Sequence, residues 1–227
     1  MAGTPCSVVT NEPCVVTGSS PGSRHVATLG RGAVKSGAGL ASLGREMLSA
    51  EAEFHRLSVD DVHRMVEAGV LREEDRVELI DGVLVDVNPP GAPHSTAVAW
   101  LTRHFVGAVG EREVRVQDLL LVDGGFLLPD LMVIDRPPRD RHPSTAALVV
   151  EVAATTQRHD AWKAPRYAAA QVAEYWIIDL VARAVTVHRD PRASGYHHVT
   201  RHGEGERIPT PVGAPEVEVA ALLGPRG

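Results

Sequence analysis

From Ser58 onward the apolar positions repeat with recognisable periods, and before residue 47 they do not. Val59, Val62, Met65 and Val66 recur at three- and four-residue intervals, which predicts a helix with one apolar face. Ser58 stands ahead of that stripe with Asp61 three residues on, the pattern of a capping box, and Gly69 is placed to end the helix. Residues 77–87 read Val-Glu-Leu-Ile-Asp-Gly-Val-Leu-Val-Asp-Val, a hairpin turning at Asp81-Gly82. A loop of Pro89, Pro90, Gly91 and Pro93 precedes a helix from about His94 to Val109, with Val98, Leu101 and Phe105 on one face. Residues 114–122 and 126–134 are apolar runs joined by Asp123-Gly124-Gly125, a second hairpin. A polar loop over 137–143 leads to 147–153, Ala-Leu-Val-Val-Glu-Val-Ala, which reads as a buried central strand. A helix over 160–171, strands over 175–180 and 184–189, and a short strand near 196–200 complete the pattern. The order predicts a mixed α/β or α+β domain built on one central sheet, with no internal repeat.

Residues 1–46 hold eight Gly and six Ser and few large apolar side chains. Such a segment cannot bury enough surface to offset chain entropy, so it is expected to be a disordered tail ahead of a domain spanning 47–227. A misassigned start, with Met47 the true first residue, is the other reading. In the whole chain of 227 residues, 44% are hydrophobic, but only nine are aromatic, so aliphatic side chains must fill most of the core. No apolar run is long enough to span a membrane, and the amino terminus lacks a secretory pattern, so a soluble cytoplasmic protein is expected. Cys6 and Cys14 are too few for a disulfide framework or a four-cysteine zinc site. A net charge of −6 argues against a protein that coats nucleic acid, but not against an enzyme that cuts it with carboxylate-held metal.

Two acids interrupt apolar strands: Asp130 in Leu-Leu-Pro-Asp-Leu-Met-Val-Ile and Glu151 in Leu-Val-Val-Glu-Val-Ala. A buried carboxylate costs several kcal/mol unless paired or bound to metal, and hard cations such as Mg²⁺ are often held by one or two carboxylates with waters and phosphate. The alternative for each is a salt bridge to one of the many arginines. Of 23 basic residues only Lys35 and Lys163 are lysine, and Lys163 alone lies in the domain. It follows Glu151 by twelve residues and shares a predicted helical face with Asp160 and Tyr167. A lysine there can orient water or offset charge on a phosphate; the bland alternative is a surface pair with Asp160. Glu78 could point at the site from the first hairpin, or be an exposed strand residue. Gln117 could support the site, or be a solvated edge position. His94 is read first as a helix cap and second as a phosphate contact. His197, His198 and His202 resemble a zinc cluster, but neighbours on a strand face opposite ways, which disfavours a joint site. Trp162, Tyr167, Tyr175 and Trp176 are read as core rather than as a stacking platform for bases.

The constellation resembles the PD-(D/E)XK nuclease superfamily and, within it, the Uma family of restriction-endonuclease-like proteins. The blocks are Val77-Glu-Leu-Ile-Asp-Gly82 before a Pro-Pro-Gly loop and His94, then Pro129-Asp130, Leu148-Val-Val-Glu-Val152, Asp160-Ala-Trp-Lys163 with Tyr167, and Glu174-Tyr-Trp-Ile-Ile-Asp179. The resemblance implies a restriction-endonuclease-like fold, a mixed sheet of four to five core strands flanked by helices. It implies Asp130 and Glu151 as metal ligands for Mg²⁺ or Mn²⁺, and Lys163 as the catalytic lysine, drawn from the following helix. The commoner superfamily slot, two residues after the Glu, is Ala153. Glu78, Gln117, Asp160 and Tyr167 are supporting positions. The implied function is a metal-dependent endonuclease hydrolysing DNA, with no membrane partner; whether it works as a homodimer is left open. The family's Ser-Pro-Ser-like turn is replaced by Ala153-Ala154-Thr155-Thr156. That departure supports the alternative, an inactive nuclease fold acting in nucleic-acid binding or protein interaction.

Overall fold

The computed structural model describes residues 55–72, 74–136, 140–153 and 162–226. The expectations for 1–46, for Asp160 and for the turn at 154–156 lie outside these residues. The first helix, α1 (Val59–Glu67), starts where its sequence says it should. The Ser58 side chain accepts from the Asp61 N–H, and the Asp61 carboxylate accepts in return from the Ser58 N–H at 2.8 Å. Gly69, at φ 68°, follows the C-cap Ala68. β1 (Val77–Ile80) and β2 (Val83–Asp86) form the expected hairpin, with Asp81 and Gly82 both at positive φ. That geometry matches a two-residue turn whose twist suits the flanking strands.

Helix α2 (Ala92–Phe105) takes Gly91 as N-cap and Pro93 in its first turn, where a missing N–H costs nothing. It ends before the expected Val109 because Gly107 and Gly110 adopt left-handed backbone. His94 is therefore inside the first turn and is not a cap.

The second hairpin differs from its expectation. Each apolar run is two strands: β3 (Glu113–Val116) and β4 (Leu120–Val122), then β5 (Gly125–Leu127) and β6 (Leu131–Ile134). The outer halves β4 and β5 join a four-stranded sheet in the order β2-β1-β5-β4, while β3 and β6 belong to another sheet. The hairpin bends at Gln117 on one arm, where φ is +52°, and at Leu128–Asp130 on the other. The expectation of one sheet is thus corrected to two main ones. A proline at 129 and a left-handed residue at 117 both break the ladder.

The larger sheet has six strands in the order β10-β9-β8-β7-β6-β3. It comprises, besides β3 and β6, β7 (Leu148–Ala153), β8 (Glu174–Asp179), β9 (Ala184–Arg192) and β10 (Gly195–Gly203). Among the described strands only β7 and β8 run parallel, linked through the segment that contains α3 (Ala164–Ala169). Both strands are buried along their whole length, as a strand covered on two faces requires. A short pair, β11 (Arg207–Ile208) and β12 (Val217–Glu218), and α4 (Val219–Leu223) finish the chain. The expected strands near 175–180 and 184–189 are present, and the short one near 196–200 is nine residues long.

Alternation along the strands makes two cores. Leu131, Val133, Leu148, Val150, Trp176, Ile178, Val185 and Val187 face one side, against Val98, Leu101 and Phe105 of α2 and Leu222 of α4. Met132, Ile134, Val149, Ala153, Tyr175 and Ile177 face the other, against Tyr167 of α3 and Leu120 and Leu127 of the small sheet. The result is a mixed α+β fold, a large mixed sheet flanked by helices. Among the described residues no helix is long and apolar enough to cross a membrane.

Candidate active site

Glu151 alternates with Val150 and Val152 and so shares the face of Val149 and Ala153, toward α3. The β6–β7 register pairs Leu131 with Val150. Extended by one step it sets Asp130 opposite Glu151, and directly opposed residues project on the same face. The two acids singled out in the sequence therefore meet at the end of β6, where the hairpin bends between sheets. Asp130 is 8% exposed and Glu151 4%. The Asp130 Oδ2 accepts from the Val152 N–H at 2.8 Å and from His94 Nε2 at 2.9 Å. Among the described residues its Oδ1 receives no hydrogen bond.

Lys163 is no surface lysine. It is 8% exposed, and its Nζ donates to Glu78 Oε1 at 2.8 Å and to Glu151 Oε1 at 3.0 Å. It is the N-cap residue of α3, with Pro165 in the first turn, so the helix begins at Ala164 rather than near 160. Tyr167, one turn on, is fully buried, and its hydroxyl donates to Glu151 Oε1 at 2.7 Å. The expected shared face of Lys163 and Tyr167 is present. Glu78 is 4% exposed and also accepts from the Leu128 N–H, so it is a cleft residue and not an ordinary strand acid. Gln117 lies at the bend, its N–H donating to the Asp130 carbonyl and its Oε1 accepting from Arg76 Nη1 at 2.9 Å.

All of these groups except the fully buried Tyr167 line one cleft of about 440 Å³ between the two sheets and the start of α2. Its electrostatics follow from the pairing. Burial by itself lowers the Lys163 pKa, but the charges of Glu151 and Glu78 outweigh it and push the group well above its ordinary value. The hydrogen bond to Asp130 raises the His94 imidazole, against a smaller opposing effect of burial. Burial, reinforced by the Glu151 charge, holds the Tyr167 phenol well above its usual range. Lysine and phenol both stay protonated as donors to Glu151.

Interior acids are not sites by burial alone. Glu174 and Asp179 on β8 are as buried as Asp130, yet Glu174 pairs with Arg189 and the Trp176 indole, and Asp179 accepts from the Val181 and Ala182 N–H groups of a turn. What separates Asp130 and Glu151 is the cleft. Sequence reasoning missed Arg76, and it weighed His94 as a cap or a phosphate contact but not as a partner of Asp130. His94 bonds Asp130, and Arg76 enters the cleft one residue before the Val77-Glu-Leu-Ile-Asp-Gly82 block; the proximity of each to a recognised block was the available signal. Tyr167, Tyr175 and Trp176 are fully buried core, as expected, while Trp162 lines the cleft. The histidines near 200 group differently from expectation. His202 turns to Glu206, and His197 and His198 instead bring ring nitrogens within 4.8 Å of each other and of an Asp190 oxygen on the exposed β9–β10 hairpin.

A divalent cation fits the cleft. The donors are the facing carboxylates of Asp130 and Glu151, and among the described residues the Asp130 Oδ1 receives no hydrogen bond, which is the oxygen-rich set a hard cation prefers.

The model of the Uma2 family, described as "Putative restriction endonuclease", matches residues 53–222. A crystal structure described as "a putative nuclease belonging to DUF820", from Anabaena variabilis, is similar at TM-score 0.61 and 14% identity. The match covers 74% of this chain and 97% of that one, and the likeness is one of fold. No curated protein matches the sequence. The motif blocks, the cleft they build and the match over 53–222 lead to one conclusion: the chain belongs to the Uma2 family.

Proposed function

We propose that the protein is a metal-dependent endonuclease that hydrolyses phosphodiester bonds of DNA, with its centre at Asp130, Glu151 and Lys163. The observation that carries this reading is the convergence of those three side chains, from the residue before β6, from β7 and from the start of α3, in one cleft. Asp130 and Glu151 would hold Mg²⁺ or Mn²⁺, which when bound lowers the pKa of water and offsets charge on a phosphoryl oxygen. The remaining roles belong to the chain. The Val152 N–H and His94 hold the Asp130 carboxylate in place. Tyr167 and Lys163 hold Glu151 from the other side. Lys163 uses two of its three N–H donors on Glu78 and Glu151, which leaves one for an oxygen of the scissile phosphate. Glu78 supports the lysine by accepting its hydrogen bond.

The test is nicking of supercoiled plasmid with Mg²⁺, with Mn²⁺ and with EDTA, alongside the melting temperature in the same buffers. Cleavage should need metal, and metal should raise the melting temperature because it binds the folded state. Asp130→Asn should abolish both effects. A variant with His197→Ala and His198→Ala is the control, since the hairpin cluster could bind a cation and shift melting on its own. Metal stabilisation that survives Asp130→Asn but vanishes in that control would remove the cleft as the metal centre. DNA binding without cleavage at any metal would favour the inactive alternative, for which the changed residues after Glu151 argue.

A further inference from the structure

Among the described residues three basic side chains line the cleft: Arg76, His94 and Lys163. Two are matched to acids, Lys163 to Glu78 and Glu151, and His94 to Asp130. Arg76 is different. Its Nη1 donates to Gln117 Oε1, a neutral amide, and among the described residues no carboxylate lies within 4.0 Å of it. Other arginines near the cleft follow the opposite rule: Arg72 pairs with Asp75, Arg115 with Glu113 and Asp118, and Arg166 with Asp81. Its guanidinium shares the cleft lining with four acids, Glu78, Asp86, Asp130 and Glu151, yet is held by an amide, so among the described residues no ion pair offsets it. It also keeps most of its five N–H donors.

The holder is itself anchored. Gln117 stands at the left-handed bend between β3 and β4, and its N–H bonds the Asp130 carbonyl. The bend that delivers Asp130 to the cleft thus also delivers the group that orients Arg76. An acidic cleft repels a polyanion, so a DNA substrate needs an uncommitted cation here, and the planar guanidinium fork matches two oxygens of a phosphate.

We propose that Arg76, oriented by Gln117, is the substrate-binding clamp of the cleft, gripping a DNA phosphate beside the scissile one. This rests on the nuclease reading above. Arg76 touches substrate, and Gln117 is a positioning residue that sets the fork while leaving its charge intact.

Four proteins test it: the parent, Arg76→Gln, Arg76→Lys and Gln117→Glu. Each is assayed for nicking kinetics in Mg²⁺ and for binding of a short DNA duplex in EDTA over a range of salt. Arg76→Gln should raise KM by about tenfold or more, the size of one lost charge-assisted hydrogen bond, with kcat little changed. The slope of log binding constant against log salt should fall by about one unit. Gln117→Glu offsets the charge without removing the arginine. It preserves the bond to Arg76 and makes it an ion pair, so melting should be no lower than the parent's, yet KM should rise as in Arg76→Gln because the charge is cancelled. Arg76→Lys should recover part of the binding. Because an added carboxylate repels DNA in either case, the overturning result is read from Arg76→Gln: a purely structural Arg76 predicts parent-like KM and an unchanged salt slope there, and that result overturns the clamp. If the parent cleaves and Arg76→Gln matches it in KM, the clamp fails and the nuclease reading stands. If the parent binds DNA without cleaving and Arg76→Gln and Gln117→Glu both lose that binding, the clamp stands and turnover fails. A parent that neither binds nor cuts DNA overturns both.

Discussion

Lys163 shows how burial changes what a residue can be. A lysine on an exposed helix would tolerate replacement, since surface ion pairs contribute only ~0–1 kcal/mol. Here its ammonium is buried between Glu78 and Glu151. Lys163→Ala should leave two buried carboxylates without their cation, a loss of about 3–5 kcal/mol in metal-free buffer. Mg²⁺ should restore part of that stability by supplying positive charge to Glu151, and calorimetry with and without metal reads the difference. Lys163→Arg keeps the charge but replaces a compact ammonium by a planar fork, so nicking should fall by about 10²–10³ while metal still raises the melting temperature. Parent-like nicking by Lys163→Ala would return this residue to a structural role. The identities of Asp130, Glu151 and Lys163 were legible in the sequence because each violates its surroundings: an acid in an apolar run, or the sole lysine in an arginine-rich domain. Arg76, and the pairing of His94 with Asp130, were not legible, because a basic residue beside a loop is ordinary until its neighbour in space is known.

At the scale of elements, the contact between β1 and β5 positions Glu78. Leu79 pairs with Phe126, and a Cβ on Gly125 would lie 1.9 Å from the Leu79 carbonyl oxygen. No side-chain rotation relieves a clash with backbone. Gly125→Ala should therefore cost about 3 kcal/mol or more and displace Glu78 from Lys163, whereas Gly205→Ala, where nothing lies within 4 Å, should be neutral. Comparing the two by denaturant melts separates close approach from a general glycine effect. The outer strands carry a second device. His188 of β9 stacks on Tyr175 of β8 with ring centroids 5.2 Å apart and also meets Tyr196 of β10. Burial lowers its pKa, against the weaker pull of the Tyr175 carbonyl. A base with a depressed folded pKa binds protons more readily when unfolded. Its contribution is complete above the unfolded value of about 6.5 and is lost as pH falls from there toward the folded pKa. The stability difference between the parent and His188→Gln should accordingly narrow as pH drops below about 6.5, and a constant difference would show that His188 does not titrate on unfolding.

At the scale of the whole molecule, every described element lies after residue 54. The Gly- and Ser-rich composition of 1–46 predicts that the domain folds without it, so a chain starting at Met47 should melt at the parent's temperature. A drop of several degrees would mean that the leading segment docks on the domain.

The sequence by itself determined the elements whose signals are local. The capping box at Ser58 and Asp61, the Asp81-Gly82 turn, the apolar runs of β7 and β8 and the motif blocks all depend on residues a few positions apart. Only the tertiary structure decided where the second hairpin bends, because 114–122 and 126–134 read as continuous apolar runs whichever sheet each half joins. It alone decided that Glu78, eighty-five positions from Lys163, is that lysine's partner, and that Arg76 meets an amide rather than an acid. The reason is physical. Hydrophobic period and turn chemistry are set by neighbours along the chain, whereas the pairing of a buried charge is set by whichever groups two packed sheets bring within a few ångströms.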